Sequence, residues 1–249
     1  MSRKYNRPPI VETLCEFQFI PGQPWDMTIV GLFYEKIKEE FPEKQQQTTF
    51  EIGFRKKEGR VEQKVGSSPR MQFLSKDKTI LVQTGPDLLV INHLKPYPTW
   101  HKFCPMILKN LKQYQKTACP KSFKRIDLRY INKIEIAEKS VELADYFSYY
   151  PFLPEKFPQT HEAFNVRIEI PFVEGRDRLL LTLASTPSEK PDNIAFVLDL
   201  DYVMVSPEKV EIEEVEGWIE KAHTEIENGF ESCITEKCRD LFEEEKQCQ

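Results

Sequence analysis

Apolar residues recur along the last part of the chain, over residues 213–248, at steps of three, four and one. The stripe contains Val215, Trp218, Ile219, Ala222, Ile226, Phe230, Cys233, Ile234, Cys238, Leu241 and Phe242. This spacing is typical of one face of a helix, and the opposite face is almost wholly charged. A helix of about 30 residues is about 45 Å long. The pattern therefore predicts a single long C-terminal helix that packs along a sheet.

Upstream of this stretch, alternation of apolar and polar residues predicts strands, and apolar steps of three and four predict helices. The predicted strands cover residues 10–20, 50–56, 70–74, 79–84, 88–94, 124–136, 163–173, 178–185 and 193–205. The predicted helices cover residues 26–40, 99–116 and 140–149, and residues 45–47 are predicted to be a polar connector.

Both halves of the chain follow the same order of strand, helix, three or four antiparallel strands, and helix. This order predicts an α+β fold of two similar β-α-β(3–4)-α halves, residues 1–120 and 121–249, in one compact unit. We expect antiparallel sheets packed on long helices. An internal duplication explains the repeated order, and the alternative is that the same order fits many unrelated α+β chains.

Composition is typical of a globular chain with a sizeable core, since 40% of the residues are hydrophobic and 17 are Phe. No run of about 18 apolar residues is present, so no membrane span is expected. The N-terminus lacks the apolar stretch of a signal peptide, which predicts a cytoplasmic protein. The six cysteines form no CxxC pair, so we expect reduced structural thiols.

Charge is distributed unevenly along the chain. Residues 1–133 hold 24 Lys and Arg against 13 Asp and Glu, and residues 134–249 hold 11 against 27. The resulting charges of +11 and −16 predict a basic face that binds an acidic protein partner. The alternative is that the acidic half of the same chain neutralises the basic half. Nucleic acid is the weaker alternative, because the basic run at 55–64 has no interleaved aromatic residues for base stacking. The predicted basic face consists of Arg55, Lys56, Lys57, Arg60, Lys64, Lys109, Lys112 and Lys116.

Motifs of known chemistry are missing from the sequence. It contains no GxGxxG and no GxxxxGK[ST] phosphate loop, and none of its Ser or Cys residues lies in a nucleophile elbow. The four histidines lack metal-ligand spacing, and we expect His101 and His223 to be partly buried structural residues. The sequence therefore predicts no catalytic residues, no cofactor and no metal site.

One polar constellation is predicted on the strands of the second half. We call it the polar groove, and its residues are Arg125, Asp127, Arg129, Arg167, Glu169, Asp199 and Asp201. If these strands are neighbours, the charges share one surface, where the three arginines would bind an anionic ligand. The alternative is a solvent face with cross-strand ion pairs.

Two segments carry a resemblance to a known group of proteins. Tyr5, Pro8-Pro9-Ile10 and Glu12 form Y-x-x-P-P-I-x-E, and His223, Ile226, Phe230 and Ile234-Thr235 form H-x-x-I-x-x-x-F-x-x-x-I-T. In these segments the chain resembles a sporadically distributed bacterial family that has no established catalytic residues. The family resembles a small accessory protein of type III CRISPR loci that carry a caspase-like protease, which implies a role in antiviral defence.

The sequence thus predicts a non-catalytic binding or adaptor protein of a multi-protein bacterial system. A small-ligand, nucleotide-binding or nucleic-acid-binding domain is the alternative.

Overall fold

Nine β-strands form in the part of the chain that the structure describes, and apolar and polar side chains alternate along several of them. The computed structural model describes residues 3–57, 60–158 and 162–244, without the side chains of residues 48–57, 60–69 and 174. The strands are β1 (Ile10–Ile20), β2 (Glu43–Lys57), β3 (Arg60–Leu74), β4 (Ile80–Gly85), β5 (Leu88–Leu94), β6 (Ser122–Ile136), β7 (Asn165–Phe172), β8 (Asp177–Thr186) and β9 (Ile194–Met204). They form an antiparallel sheet in the order β2-β3-β4-β5-β1-β6-β9-β8-β7.

The described ranges also contain five α-helices, which are α1 (Met27–Ile37), α2 (Trp100–Ala118), α3 (Leu143–Tyr146), α4 (Val215–Cys233) and α5 (Glu236–Asp240). Helix α1 begins after Asp26, whose carboxylate accepts a 2.7 Å hydrogen bond from the backbone N–H of Thr28. Helix α2 ends at Ala118, and the next residue, Cys119, adopts a left-handed conformation and donates its backbone N–H to the carbonyl of Gln115. None of the helices in the described ranges is long and apolar enough to cross a membrane.

Two compact units divide the chain, and we name them for their places in the sequence. The terminal unit comprises Met1–Leu14, Leu94–Tyr97 and Asp127–Gln249, and the central unit comprises Cys15–His93 and Pro98–Ile126. Strands β1 and β6 each contribute residues to both units. Helices and an antiparallel sheet confirm the α+β class, whereas the internal duplication stays a prediction.

Aromatic side chains form the core of the central unit. The ring of Tyr114 on α2 stacks on Phe19 of β1 at 4.9 Å between centroids and meets Phe33 of α1 edge-on at 5.6 Å. Phe33 in turn lies 6.3 Å from Phe73 of β3. All four residues are almost fully buried, so these contacts fix α1 and α2 against the strands.

Helix α4 packs against β9 in the terminal unit. The ring of Trp218 lies 5.7 Å from that of Tyr202 on β9. Further along the helix, a Cβ atom on Gly229 would lie 2.9 Å from Leu200 and 3.2 Å from Leu179. Glycine at this position therefore lets the helix lie close to the strands.

The prediction of one long C-terminal helix is wrong, because α4 ends at Cys233. Ile234 is extended and forms a β-bridge with Phe147, and the backbone N–H of Thr235 donates to the carbonyl of Tyr146 at 3.0 Å. The Thr235 hydroxyl then caps α5 by accepting from the backbone N–H of Cys238. These tertiary contacts interrupt a pattern that is continuous in the sequence.

Two other predicted boundaries are also wrong. The polar connector at residues 45–47 lies inside β2, where Gln45 and Gln47 exchange hydrogen bonds of 2.7 and 2.5 Å with Gln72 of β3. Because amides replace apolar residues there, the strand has no hydrophobic alternation to predict it. The helix predicted at 140–149 is reduced to the single turn of α3.

Replacing Ile226 by Asp tests the packing of α4. Ile226 is buried, so the substitution would place an unpaired charge in the core and lower the free energy of unfolding by about 3–5 kcal/mol. Thr224→Asp, at an exposed position of the same helix, is the matched control and should change stability by less than about 1 kcal/mol. Chemical denaturation measures both, and equal effects would contradict this orientation of the helix.

Candidate functional site

The outer side of α2 carries a row of four exposed lysines, Lys102, Lys109, Lys112 and Lys116, which we call the lysine row. Their spacing keeps them within about 80° of the helix circumference, along a length of about 21 Å. The opposite side of α2 is anchored by buried aromatic and aliphatic residues, which fix the rotation of the helix. The predicted positions 109, 112 and 116 thus share one exposed surface.

The lysines of the row differ in whether a carboxylate lies close to them. Glu40, which follows α1, forms an ion pair with Lys109. Among the described residues, no carboxylate pairs with Lys112 or Lys116. The central unit as a whole holds 18 Lys and Arg against 11 Asp and Glu, a formal charge of +7, so the positive charge of the row is not an isolated feature.

The remainder of the predicted basic face lies on the β2–β3 hairpin. Arg55, Lys56 and Lys57 belong to β2, and Arg60 and Lys64 belong to β3. The two strands are paired up to Lys57 and Arg60, so the backbone here is a strand pair rather than an irregular loop. The side chains of these five residues lie outside the described part of the structure.

Six residues of the predicted polar groove lie on one face of the terminal unit. Thr182 of β8 is directly opposite both Arg167 and Asp199, and Leu180 is opposite both Glu169 and Asp201. Since directly opposed residues of a sheet share a face, these strands do bring the charges together. Arg129 joins this face through its contact with Asp199, and Asp127, two residues earlier on β6, is on the same side of the strand but is buried. Arg125 belongs to the central unit.

Ion pairs already engage two of the predicted anion-binding arginines. Arg129 donates from Nε and Nη2 to the two carboxylate oxygens of Asp199 at 2.8 and 2.6 Å. This hydrogen bonding raises the pKa of the Arg129 guanidinium above its ordinary value. Glu169 accepts from Arg167 at 3.4 Å and from Arg178 at 3.1 Å. The Arg129–Asp199 and Arg178–Glu169 pairs are cross-strand, as the alternative of a solvent face with ion pairs expects. The Arg167–Glu169 pair lies within β7.

A buried carboxylate that the sequence analysis missed lies at the start of β8. Asp177 is fully buried and accepts hydrogen bonds from Arg176 at 2.6 Å, Trp218 at 3.1 Å and Tyr202 at 3.3 Å. Burial raises the pKa of Tyr202 above its ordinary value, so the hydroxyl stays a donor. The cluster joins β8, β9 and α4. Its only sequence signal is an Arg-Asp pair before a run of leucines.

A second chain of hydrogen bonds crosses the terminal unit through His223. The Tyr97 and Tyr130 hydroxyls are 2.9 Å apart, the Tyr130 hydroxyl is 3.3 Å from His223 Nδ1, and His223 Nε2 is 3.3 Å from Glu227. Burial raises the pKa of Tyr130 well above its ordinary value, so its hydroxyl stays protonated. His223 is buried as predicted, whereas the same prediction for His101 is wrong because His101 is exposed.

The two segments that carry the sequence resemblance meet in the terminal unit. The Tyr5 hydroxyl donates a 2.6 Å hydrogen bond to Glu231, which also pairs with Arg239 at 2.8 Å. The Tyr5 ring lies 6.5 Å from Phe230 and 5.6 Å from Phe242. Tyr5 and Phe230, which belong to the two segments that carry the resemblance, therefore have a structural role.

The described cysteines are unpaired, and four of the five are buried. Burial raises the pKa of Cys233 to about 11 and the pKa of Cys238 to about 12, which keeps both thiols protonated at neutral pH. In the described ranges, no cluster of three His, Cys, Asp or Glu side chains is placed to hold a metal ion.

No protein-family profile and no curated protein matches the chain. The resemblance to a bacterial defence-linked family therefore stays a prediction from the two sequence segments.

Alkylation of the thiols tests the buried environment of the C-terminal segment. Because only the thiolate reacts, iodoacetamide at about pH 8 should label exposed Cys119 first and leave Cys233 and Cys238 protected. Peptide mass spectrometry measures the rates, and in denaturant the three sites should react alike. Labelling of native Cys233 as fast as Cys119 would show that the segment around the α4–α5 break is open.

Proposed function

We propose that the chain is a non-catalytic binding or adaptor protein of a multi-protein bacterial system, and that the lysine row on α2 is the docking surface for an acidic protein partner. The observation that supports this most strongly is the exposure of Lys112 and Lys116 on a fixed helix face, without a carboxylate partner among the described residues. The resemblance noted from the sequence would place this system in cytoplasmic antiviral defence.

The geometry of the lysine row favours an elongated acidic partner. Four charges along about 21 Å match the acidic face of a helix or an extended acidic segment. Their contribution is mainly to the association rate and to the choice of partner, because exposed ion pairs add only about 0.2–1 kcal/mol each. We therefore expect the binding to weaken as ionic strength rises.

Nucleic acid is less favoured as the partner. Proteins that bind single strands without sequence preference combine basic residues with aromatic side chains on which bases stack. The exposed stripe of α2 between Lys102 and Lys116 carries no Phe, Tyr or Trp. All four of its cations are lysines, which lack the planar fork with which arginine binds phosphate in a bidentate manner.

An internal duplication would account for the different charges of the two units. The central unit begins in β1, follows the order β-α-β-β-β-β-α and ends in the first residues of β6. The terminal unit contains the start of β1 and continues from the rest of β6 in the order β-α-β-β-β-α before α5. The central unit has a formal charge of +7, and the terminal unit, with 17 Lys and Arg against 29 Asp and Glu, has −12. We propose that one copy kept a structural role while the other acquired the docking surface.

Charge reversal at Lys112 and Lys116 tests the proposed docking surface. Fluorescence anisotropy with a labelled oligoglutamate peptide should show binding to the wild type, and Lys112→Glu with Lys116→Glu should weaken it by about tenfold. The matched control is Lys190→Glu with Lys209→Glu, which reverses two exposed charges of the terminal unit and should have little effect.

A single-stranded oligonucleotide of equal charge distinguishes the partner classes. Tighter binding of the oligonucleotide than of the peptide would favour nucleic acid instead. Equal losses in both charge-reversed variants, or no loss in either, would overturn the lysine row as the docking surface. Affinity capture from the native host with the wild type and the Lys112→Glu, Lys116→Glu variant would then identify the partner as the protein lost from the variant.

A further inference from the structure

A surface cavity opens in the central unit, apart from the lysine row and from the residues of the predicted polar groove. We call it the β-turn groove. Its volume is about 390 Å³, and its lining combines charged and amide side chains with apolar residues, among them Phe19, Ile20 and Leu88. The residues that matter here are Gln18 of β1, Arg70 of β3, Asp87 of the β4–β5 turn and Lys124 of β6. The volume lies in the range of pockets that take small molecules.

The register of the sheet explains why these side chains converge. Gln72 of β3 donates its side-chain amide to Gln83 of β4 at 2.9 Å. Arg70 is two residues before Gln72 on the same strand, so its side chain is on the same face of the sheet as these amides. The turn after β4 is held to β1 because the backbone N–H of Phe19 donates to the carbonyl of Asp87 at 2.9 Å. Asp87 itself has a positive φ of 52°, a conformation that Asp tolerates better than most residues.

Charged groups of both signs lie at the β-turn groove. Arg70 and Lys124 supply two cations, and Asp87 is the only carboxylate in the lining. Burial raises the pKa of Asp87 above its ordinary value, and the nearby Lys124 partly offsets this. Glu16, on the same strand as Gln18, accepts the Gln18 amide at 2.8 Å and is the adjacent negative charge. The half-buried Arg70 adds a planar fork suited to oxyanions.

We propose that the β-turn groove binds a small molecule through an oxyanion, either a phosphate or a carboxylate group. Arg70 and Lys124 contact the oxyanion, and the Gln18 side-chain N–H donates an additional hydrogen bond to it. Asp87 opposes the anion by like-charge repulsion and limits its affinity. This site is independent of the acidic protein partner, because none of the lysine row lines the groove.

Titration with inorganic phosphate and with succinate, followed by ¹H–¹⁵N NMR of the full chain, tests the site. We expect saturable shifts of the backbone amides at residues 18–20 and 87–88, and the probe with the lower dissociation constant identifies the favoured oxyanion. Lys124→Gln and Arg70→Gln should each weaken binding by about tenfold. Asp87→Asn should strengthen it by about threefold, because it removes the repelling charge.

Two controls make the outcome decisive. Lys121→Gln removes an exposed cation of the same unit outside the groove and should leave the dissociation constant unchanged. Lys112→Glu with Lys116→Glu should also leave phosphate binding intact, which separates this site from the proposed docking surface. Shifts spread over the basic surface, an equal loss in Lys121→Gln, or weaker binding in Asp87→Asn would each overturn the proposal.

Discussion

The buried carboxylate of Asp177 is the constraint on which the packing of the terminal unit depends. Burying a charge away from water costs free energy unless hydrogen bonds compensate for the lost hydration. Asp177 accepts such hydrogen bonds from Arg176, Tyr202 and Trp218. Trp218 belongs to α4, so satisfying this carboxylate positions the helix across the strands. The same helix contains Gly229, where α4 lies close to Leu200 and Leu179, and His223, which contacts Tyr130.

Local periodicity was sufficient to predict most elements. Strand β1 was predicted over residues 10–20, its bounds in the structure, because its buried Cys15, Phe17 and Phe19 alternate with polar residues. The rotation of α2 follows from its apolar stripe, and so did the exposure of Lys109, Lys112 and Lys116. The break after Cys233 was not predictable, since it depends on backbone pairing with residues that are distant in the sequence.

Candidate sites were harder to predict than elements, because charge in a sequence does not indicate what it pairs with. Arg129 and Asp199 were correctly placed on one face, but their bidentate contact engages the arginine that was expected to bind a ligand. Conversely, Arg70 and Lys124 are far apart in the sequence, and only the sheet brings them to one groove. The central unit thus carries both proposed binding surfaces, while the acidic charge lies mainly in the terminal unit.

A double-mutant cycle between Asp177 and Trp218 tests most directly whether the buried carboxylate positions α4. Asp177→Ala removes the acceptor, and Trp218→Phe keeps an aromatic ring against Tyr202 but removes the Nε1–H donor. Unfolding free energies from chemical denaturation of the two single variants and the double variant give the coupling. We expect a coupling of about 1–3 kcal/mol, because Asp177→Ala leaves the Trp218 N–H buried without its acceptor, and Trp218→Phe removes one of the three donors to Asp177. Additive losses, with a coupling near zero, would contradict this role of Asp177.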